Sequence, residues 1–394
     1  MAGETLKLFV IAGEESGDRL ATDLVAEMSR RYAHVEIAGI GGDGLKSFGL
    51  DPLFPMDEIS LMGLTSVVVR LPNLLKRIAQ ASAAAISFRP DAVILVDAPD
   101  FNLRVAKRIR ARDPSIPIIK WVSPSVWAWR PGRAKAMVPH VDHILALLPF
   151  EPEVHKRLGG PPCTYTGHPL LSRLKDLRPQ PGERVELADA DPPSLLVLPG
   201  SRRGELKLHV KVFGEALSHA AQHGAKFTVT VPTLERIRDS VEQATRDWPF
   251  PVEIVSGEAE RYAAYRKAHA ALAASGTVTL ELALAGVPMA VGYGLDAVSL
   301  QLTRFIRIWS VILPNLILGR PAIREYLGLM FIPDALGAGI AQLLRDTPER
   351  RAMIESLKEL DACMDTGDRS PAEIAADTVV ETIAGKRRRA LPAG

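Results

Sequence analysis

The chain has 394 residues, of which 47% are hydrophobic and 24% charged, and its formal net charge is +2. This length is sufficient for two domains with sizeable cores, and so small a net charge gives no indication of a nucleic-acid partner. The two cysteines, Cys163 and Cys363, lie far apart, which argues against a disulfide framework and fits a reducing compartment. We find neither a signal peptide nor an apolar run near the roughly 20 residues that span a bilayer, so we expect a cytoplasmic protein.

The first half of the chain alternates between apolar runs and helical patterns. A strand is predicted at residues 6–11, followed by a turn and by a helix that ends near Arg31. Further strands are predicted at 35–40, 92–96, 118–122, 143–148 and 164–166, and a long helical region at 63–88. Strands that alternate with helices are typical of βαβ units and a parallel sheet.

Residues 170–193, rich in proline and charge, interrupt this alternation and predict a polar linker. Strands are predicted again at 194–198, 227–231, 252–255, 270–274 and 289–292. We therefore predict an α/β fold of two doubly wound Rossmann-like domains that face each other across a cleft. The predicted domains are residues 1–168 and 169–350, and residues 351–394 form a helical segment with a basic tail that packs back on the first domain.

One carboxylate, Asp97, directly follows the buried strand at 92–96, and Pro99 prevents the sheet from continuing. Open α/β sheets bind their ligands at the carboxyl ends of the strands, where a half-desolvated acid is suited to act as a catalytic base. The alternative is that Asp97 or Asp100 only caps the next helix, residues 101–112, a role that fits Asp100 better. Asp97 is therefore the candidate catalytic residue.

Two weaker motifs do not indicate a cofactor or a metal. Residues 39–44 match the G-x-G-x-x-G dinucleotide fingerprint, but they follow the second strand, and Leu45 stands where a phosphate-binding loop needs lysine. A tight turn is the better interpretation. Asp189 and Asp191 form a D-x-D pattern in the polar linker, away from any strand end. We therefore expect no metal site and no cofactor.

A turn in the second half has the features of an anion site. Residues 198–205 end a strand and open a helix, which places the N–H groups of Gly200 and Ser201 and the helix dipole where a phosphate binds. Arg202 would add charge-assisted hydrogen bonds. The alternative is an ordinary strand–helix turn with exposed arginines.

A second turn, residues 274–281, follows another strand of the same domain. Small residues, Ser275, Gly276 and Thr277, precede a helix, and Glu281 lies one turn along it. A carboxylate there can accept both hydrogen bonds of a ribose diol, although glutamates in first turns also occur simply as partners of the helix dipole. Together the two turns predict a site for a nucleoside diphosphate.

Three further features leave their roles open. Residues 123–130 contain two tryptophans that belong either to the core or to the wall of a cleft, and His168 is either a hinge contact or a helper in catalysis. Residues 61–78 are apolar with interspersed cations, as expected either of a buried helix or of a membrane-interface segment. The candidate membrane or acyl-chain residues in that segment are Val67, Val68, Leu71, Leu74 and Leu75.

Several motifs share an order and spacing that resemble the lipid-A-disaccharide synthase family. They are residues 12–18, 96–102, 122–130, 148–151, 166–168, 198–202, 274–281 and 313–316. The resemblance extends from about residue 6 to residue 344. It implies an inverting glycosyltransferase of the two-domain GT-B type, which needs no covalent intermediate. The implied reaction transfers 2,3-diacylglucosamine from its UDP conjugate to 2,3-diacylglucosamine 1-phosphate and releases UDP.

The resemblance also implies roles for individual residues. Asp97 matches the proposed general base of the family, and the positions that match its UDP-donor contacts are Arg202, Glu281 and Asn315. The first turn would add Glu14 and Ser16 to the substrate-binding set. Because Glu15 follows where a small residue is frequent, the sequence leaves open which of Glu14 and Glu15 faces the cleft.

The implied partners are the two acylated sugars and an anionic membrane surface, so we expect peripheral association with the inner membrane; a homodimer is a further possibility. Two alternatives remain at this point. One is another GT-B protein, such as a UDP-N-acetylglucosamine 2-epimerase or a different hexosaminyltransferase. The other is a non-catalytic, membrane-associated sensor of UDP-sugars.

Overall fold

The computed structural model describes residues 5–59, 64–294 and 308–390, apart from the side chains of residues 64–71 and 390. The chain divides into two units. The first unit joins Met1–Pro169 to Thr366–Gly394, and the second comprises Leu170–Asp365. The second unit is therefore inserted into the first.

The first unit is built on a parallel sheet of six described strands in the order β2-β1-β3-β4-β5-β6. The strands are β1 (Thr5–Ala12), β2 (His34–Ile40), β3 (Ala92–Val96), β4 (Ile118–Trp121), β5 (His143–Ala146) and β6 (Cys163–Tyr165). The described helices of this unit are α1 (Glu15–Arg31), α2 (Asp43–Lys46), α3 (Leu64–Phe88), α4 (Pro99–Arg112), α5 (Gly132–Met137), α6 (Glu151–Arg157) and the final helix, α15 (Pro371–Ala390).

Helices cover both faces of this sheet, which explains why its central strands are apolar throughout. All five residues of β3 are buried. Successive residues of β1 enter opposite cores, as the alternation of a strand requires. Val10 packs in the cluster that contains residues of α1 and α15, and Phe9 packs in the cluster that contains residues of α3 and α4.

The second unit repeats this plan with six described strands in the order β12-β11-β10-β7-β8-β9. The strands are β7 (Ser194–Leu198), β8 (Thr228–Thr233), β9 (Val252–Ser256), β10 (Ala270–Ala273), β11 (Met289–Tyr293) and β12 (Glu325–Leu327). The described helices are α7 (Leu174–Leu177), α8 (Arg203–Gln222), α9 (Arg238–Thr245), α10 (Glu258–Lys267), α11 (Val278–Leu284), α12 (Leu313–Leu318), α13 (Pro333–Leu343) and α14 (Pro348–Met364).

The predicted polar linker is docked on the second unit. The Arg184 guanidinium donates hydrogen bonds to the carbonyl oxygens of Arg266 (3.1 Å) and Tyr265 (3.0 Å), and also to those of Ala285 and Gly286. One half-buried cation thus satisfies the carbonyl groups at the ends of two helices, where helix dipoles favour positive charge. The segment belongs to the second unit and is not a free connection.

The prediction that residues 351–394 form one segment against the first domain is wrong for its first half. Helix α14 belongs to the second unit because its apolar residues recur every three or four positions and are buried there. These residues are Met353, Leu357, Leu360 and Met364. Helix α15 alone joins the first unit, where Lys386 donates to Asp142 over 2.8 Å and Arg387 pairs with Asp91. The basic tail is therefore anchored through these two residues. Among the described residues, no helix is both long and apolar enough to cross a bilayer.

Candidate active site

Asp97 lies in a tight turn between β3 and α4. Its φ is +51°, and that of Ala98 is +36°, a left-handed conformation that costs free energy outside glycine. Asn102, fully buried in the first turn of α4, holds the turn by donating from Nδ2 to the carbonyl oxygens of Val96 (3.0 Å) and Asp97 (2.8 Å). The turn places a half-buried carboxylate at the carboxyl end of an inner strand, as predicted.

Asp100 does not cap helix α4, contrary to our expectation. The helix begins at Pro99, with Ala98 at the cap position and without a capping side chain. Proline is well suited to the first helical position because its fixed φ matches the helix and its missing N–H is not needed there. Asp100 therefore falls inside the first turn, where its carboxylate accepts from Arg133 over 2.7 Å.

The turn between β1 and α1 lies directly against the Asp97 turn. A Cβ atom added to Gly13 would lie 2.3 Å from the Cβ of Ala98, so only glycine permits this approach. Glu14, Glu15 and Ser16 follow, and all three are exposed. Glu15 forms an ion pair with Arg19. The structure thus brings the predicted residues of the first turn close to the Asp97 turn.

The backbone of the glycine-rich residues 39–44 binds a carboxylate that the sequence analysis did not identify. Asp18 of α1 is buried and accepts hydrogen bonds from the backbone N–H groups of Gly42 (2.7 Å) and Gly44 (2.9 Å). These are the N–H groups at the start of α2, which need a partner when they are buried. The segment is therefore a structural turn.

A second strand end beside Asp97 contains buried polar groups that the sequence analysis also missed. The Trp121 carbonyl oxygen at the end of β4 accepts from the Asp97 N–H over 3.0 Å. Lys120, fully buried in the same strand, donates to that oxygen over 2.7 Å and to the Val122 oxygen over 2.9 Å. Glu151, at the start of α6, is also buried. A lysine inside an apolar strand is the signal that would have found this group.

The tryptophans and His168, whose roles the sequence leaves open, lie in half-buried and buried positions. Trp127 is half-buried and donates from Nε1 to Glu151 over 3.2 Å, while its ring meets that of Phe150 edge-on at 5.5 Å. Trp129 is half-buried beneath the Arg130 guanidinium. His168 is buried, and burial lowers its pKa to about 4. Its imidazole is therefore neutral at physiological pH.

The second unit contains a cavity of about 300 Å³ at the carboxyl edge of its sheet. The predicted phosphate turn and the predicted ribose turn both line it, together with the end of β8 and one face of α10. Of the predicted substrate residues, the cavity brings together Gly200, Ser201, Arg202, Ser275, Gly276, Thr277 and Glu281. The structure thus places seven predicted residues around one space.

The phosphate turn already holds an anionic group, the carboxylate of Glu205. One oxygen of Glu205 accepts from the N–H groups of Ser201 (2.8 Å) and Arg202 (3.2 Å), and the other from the Arg202 guanidinium (3.1 Å). Gly200 has a φ of +124°, and an added Cβ would lie 2.6 Å from that of Glu205. The turn is therefore shaped to surround negative charge, although the sequence analysis did not identify Glu205.

Glu281 also lines the cavity and is half-buried on α11. Its Oε2 accepts from the hydroxyl of the buried Tyr265 over 3.2 Å, and burial raises the pKa of its carboxyl group. The Thr233 hydroxyl, which is also buried in the lining, has no hydrogen-bond partner among the described residues. Glu281 keeps oxygen lone pairs available for a second donor, as binding of a diol requires.

Asn315 does not line the cavity, and its predicted direct contact with the donor needs correction. It is fully buried on α12, where Nδ2 donates to the Ile323 oxygen (2.8 Å) and to Glu325 (2.9 Å), and Oδ1 accepts from the Ile323 N–H. Glu325 in turn accepts from the Val311 N–H, and the Ser275 hydroxyl donates to the Val311 oxygen. Asn315 thus acts on the cavity wall through intermediates.

Comparison with known proteins decides which kind of protein this is. A family model described as lipid-A-disaccharide synthetase matches residues 8–376. The chain belongs to this family. The lipid-A-disaccharide synthase of Nitrobacter winogradskyi is 48% identical over 390 residues, which cover 98% of each chain. Membership identifies an enzyme of lipid A biosynthesis, a glycosyltransferase, and argues against the epimerase and the non-catalytic sensor.

Two solved structures share the fold of this synthetase family member. CalG4, the calicheamicin glycosyltransferase, has a TM-score of 0.57 at 15% identity and covers 97% of this chain and 99% of its own. MurG of Acinetobacter baumannii has a TM-score of 0.55 at 14% identity, with 96% and 99% covered. With the two parallel six-stranded sheets, these similarities confirm the predicted pair of Rossmann-like domains of the GT-B type.

The predicted acyl-chain residues of this synthetase family member do not share one environment. Leu74 is only 3% exposed and packs in the core beside α4, so its assignment to a lipid-facing surface is wrong. Leu75, the next residue on α3, is 46% exposed, because adjacent helical positions point about 100° apart. The side chains of Val67, Val68 and Leu71 lie outside the described part of the chain. Among the described residues, no cluster of metal-binding side chains is present.

Proposed function

We propose that this enzyme transfers 2,3-diacylglucosamine from its UDP conjugate to the 6-hydroxyl of 2,3-diacylglucosamine 1-phosphate. The products are the lipid A disaccharide 1-phosphate and UDP. The observation that carries the proposal is the pair of sites described above. One has a carboxylate fixed at a strand end, and the other has an anion-binding turn and a ribose-type carboxylate around one cavity.

Asp97 is the general base in this proposal. Its carboxylate takes the proton of the acceptor hydroxyl while the oxygen forms a bond to C1 of the donor sugar. The bond between C1 and the diphosphate oxygen breaks with its electron pair, and the configuration at C1 is inverted. General-base assistance accelerates such steps by roughly 100- to 10,000-fold. The Asn102 bonds that fix the Asp97 backbone support this role, because a base must be held within hydrogen-bond reach of its proton.

The second unit binds UDP in this proposal. The diphosphate takes the place that the Glu205 carboxylate occupies at the N–H groups of Ser201 and Arg202, and the Arg202 guanidinium stabilises the charge that grows on the leaving group. Glu281 accepts the ribose hydroxyls. Helix α8 contributes its dipole, since its N-terminus begins at this turn.

A two-substrate assay tests the reaction. Purified enzyme is incubated with UDP-2,3-diacylglucosamine and 2,3-diacylglucosamine 1-phosphate, and we expect disaccharide and UDP in equal amounts. An enzyme that binds UDP without forming either product would contradict the proposal. Release of a free 2-epimerised sugar without disaccharide would instead support the epimerase alternative.

We also propose that Val67, Val68, Leu71 and Leu75 contact acyl chains and an anionic membrane surface, which would make the enzyme peripheral to the inner membrane. Leu75 and Lys76 support this proposal because both are exposed on one helix. Apolar side chains flanked by cations are suited to the interface of an anionic bilayer. The homodimer stays a prediction. The molecular mass of the enzyme in solution, compared with the mass of one chain, tests it.

A further inference from the structure

A buried lysine and a buried glutamate lie at the carboxyl edge of the first sheet, outside the roles given so far. Lys120 is 0% exposed and Glu151 is 3% exposed. Glu151 accepts from the Leu148 N–H over 3.1 Å and from the Trp127 indole over 3.2 Å. Buried charges are costly unless they are compensated. An apolar residue would fill either position without that cost, so stability alone does not explain them.

Lys120 is joined to Asp97 by a shared acceptor. The Trp121 carbonyl oxygen accepts from the Asp97 N–H and from the Lys120 ammonium at once. The second Lys120 bond goes to Val122, whose φ is +63°, a left-handed conformation that is unusual for a β-branched residue. Lys120 therefore fixes the distorted end of β4, and that end fixes the distorted turn that carries the candidate base.

Titratable groups from neighbouring elements act on Lys120 and on Glu151. Among the described residues, the carboxylates whose charges favour its ammonium form are Asp97, from the turn after β3, and Glu151, from the start of α6. The titratable neighbour of Glu151 on β6 is Cys163. His155 is hydrogen-bonded to Ser123 over 2.8 Å, and burial lowers the pKa of its imidazole.

We propose that Lys120 is a positioning residue for Asp97. This proposal rests on the general-base role proposed for Asp97. In its ammonium form Lys120 holds the Trp121 and Val122 carbonyl oxygens and balances the charge of the Asp97 carboxylate. Loss of its proton weakens both effects and lets the turn relax.

The proposal predicts a pH dependence with a definite sign. Burial lowers the Lys120 pKa to about 7, against the opposing effect of Asp97 and Glu151. Burial also raises the Glu151 pKa to about 7. As pH rises through about 7, Lys120 loses its positive charge, and we expect kcat of the wild-type enzyme to fall on that alkaline side.

The experiment compares Lys120→Met, which keeps the side-chain length and removes the charge, with Lys107→Met, an exposed lysine on α4. We expect Lys120→Met to lower kcat by about 100-fold, to leave the KM for the donor unchanged and to abolish the alkaline fall. Lys107→Met should match the wild type. A Lys120→Met enzyme with the wild-type kcat and the same alkaline fall would overturn the proposal.

A second variant, Glu151→Gln, keeps the test decisive if Lys120→Met does not fold. Without the Glu151 carboxylate the Lys120 ammonium form is less favoured, so we expect the alkaline fall of kcat to move to lower pH. If Glu151 serves only in folding, the pH at which kcat falls should be the same in Glu151→Gln as in the wild type. This result would also overturn the proposal. Failure of the wild-type enzyme to form disaccharide would instead contradict the proposed reaction.

Discussion

The two units place their sites at the same edge of similar sheets but build them differently. Among the described residues, the non-glycine residues with positive φ all lie in the first unit: Arg89, Asp97, Ala98, Val122 and Arg130. Three of these five lie in or beside the turn of the candidate base. In the second unit the positive φ of the predicted phosphate turn falls on Gly200. Its binding groups are backbone N–H groups and a helix N-terminus.

In the proposed mechanism, this difference separates binding from chemistry. Backbone N–H groups at a helix start bind phosphate in many folds without strain, because they have no partner within the helix. Holding one carboxylate for proton transfer needs an over-determined geometry, which costs free energy and is stabilised by buried groups such as Asn102 and Lys120. We therefore expect changes in the first unit to affect kcat and changes in the second unit to affect UDP affinity.

The largest effect is expected for Asp97→Asn. The amide keeps the size of the side chain but cannot accept the proton, so kcat should fall about 1000-fold while the Kd for UDP is unchanged. Kinetics and calorimetric titration with UDP provide the two measurements. Asp100→Asn is the matched control and should retain activity, since Asp100 pairs with Arg133. Retention of most activity in Asp97→Asn would remove the base assignment.

Arg202→Ala examines the second unit in the same way. Loss of a charge-assisted hydrogen bond to the diphosphate should raise the Kd for UDP by about 10- to 100-fold. Titration calorimetry measures this change, and Lys207→Ala, an exposed lysine one turn further along α8, is the control. An unchanged Kd in Arg202→Ala would mean that the turn does not bind the phosphates.

The membrane proposal predicts a change outside both sites. Replacement of Val68, Leu71 and Leu75 by glutamate should lower co-sedimentation with anionic vesicles by about tenfold or more, because three apolar contacts are lost and charge repulsion is added. Val138→Glu alters an apolar residue of the first unit that is 50% exposed elsewhere on its surface, and it should bind vesicles normally. If both variants lost vesicle binding equally, the loss would be a non-specific effect of the added negative charge and would contradict the membrane proposal.

The smallest effect is expected for Ala98→Gly, which tests the strain itself. Glycine tolerates a φ of +36° without penalty, so the free energy of unfolding should rise by about 1 kcal/mol. The more flexible turn should lower kcat by about 2- to 10-fold. Ala106→Gly, in the middle of α4, should instead lower the free energy of unfolding by about 1 kcal/mol. Denaturant unfolding compares the two, and equal signs would contradict the strain argument.

The sequence predicted most strands because a buried parallel strand is a short run rich in β-branched residues. Two predictions, at 92–96 and 194–198, match β3 and β7 residue for residue. The strand β12 (Glu325–Leu327) was missed, since this edge strand contains Glu325 and has no apolar run of its own. The helix α14 was placed with the wrong unit because an amphipathic face does not specify which core it covers.

The residues of the candidate site that lie within a single turn were predicted from the sequence. Their partners on other elements of the fold were missed. Asp97, Arg202 and Glu281 follow apolar strands closely, so the alternation of elements places them at the carboxyl edges of the two sheets. The partners Lys120, Asp18 and Glu205 were not identified, because their roles depend on burial and on hydrogen bonds across elements. Asn315 shows the opposite error, since a polar residue in a recognised motif is fully buried in the structure.

Helix α15 also determines the order in which the two units can complete their cores during synthesis. Its residues Ala375, Ala376, Val379 and Ile383 belong to the core of the first unit, which otherwise ends at Pro169. Domains generally fold as units, starting from the N-terminus as the chain is made. Here the unit whose synthesis begins first lacks part of its core until helix α15 has been made. By then all described elements of the second unit have already been synthesised.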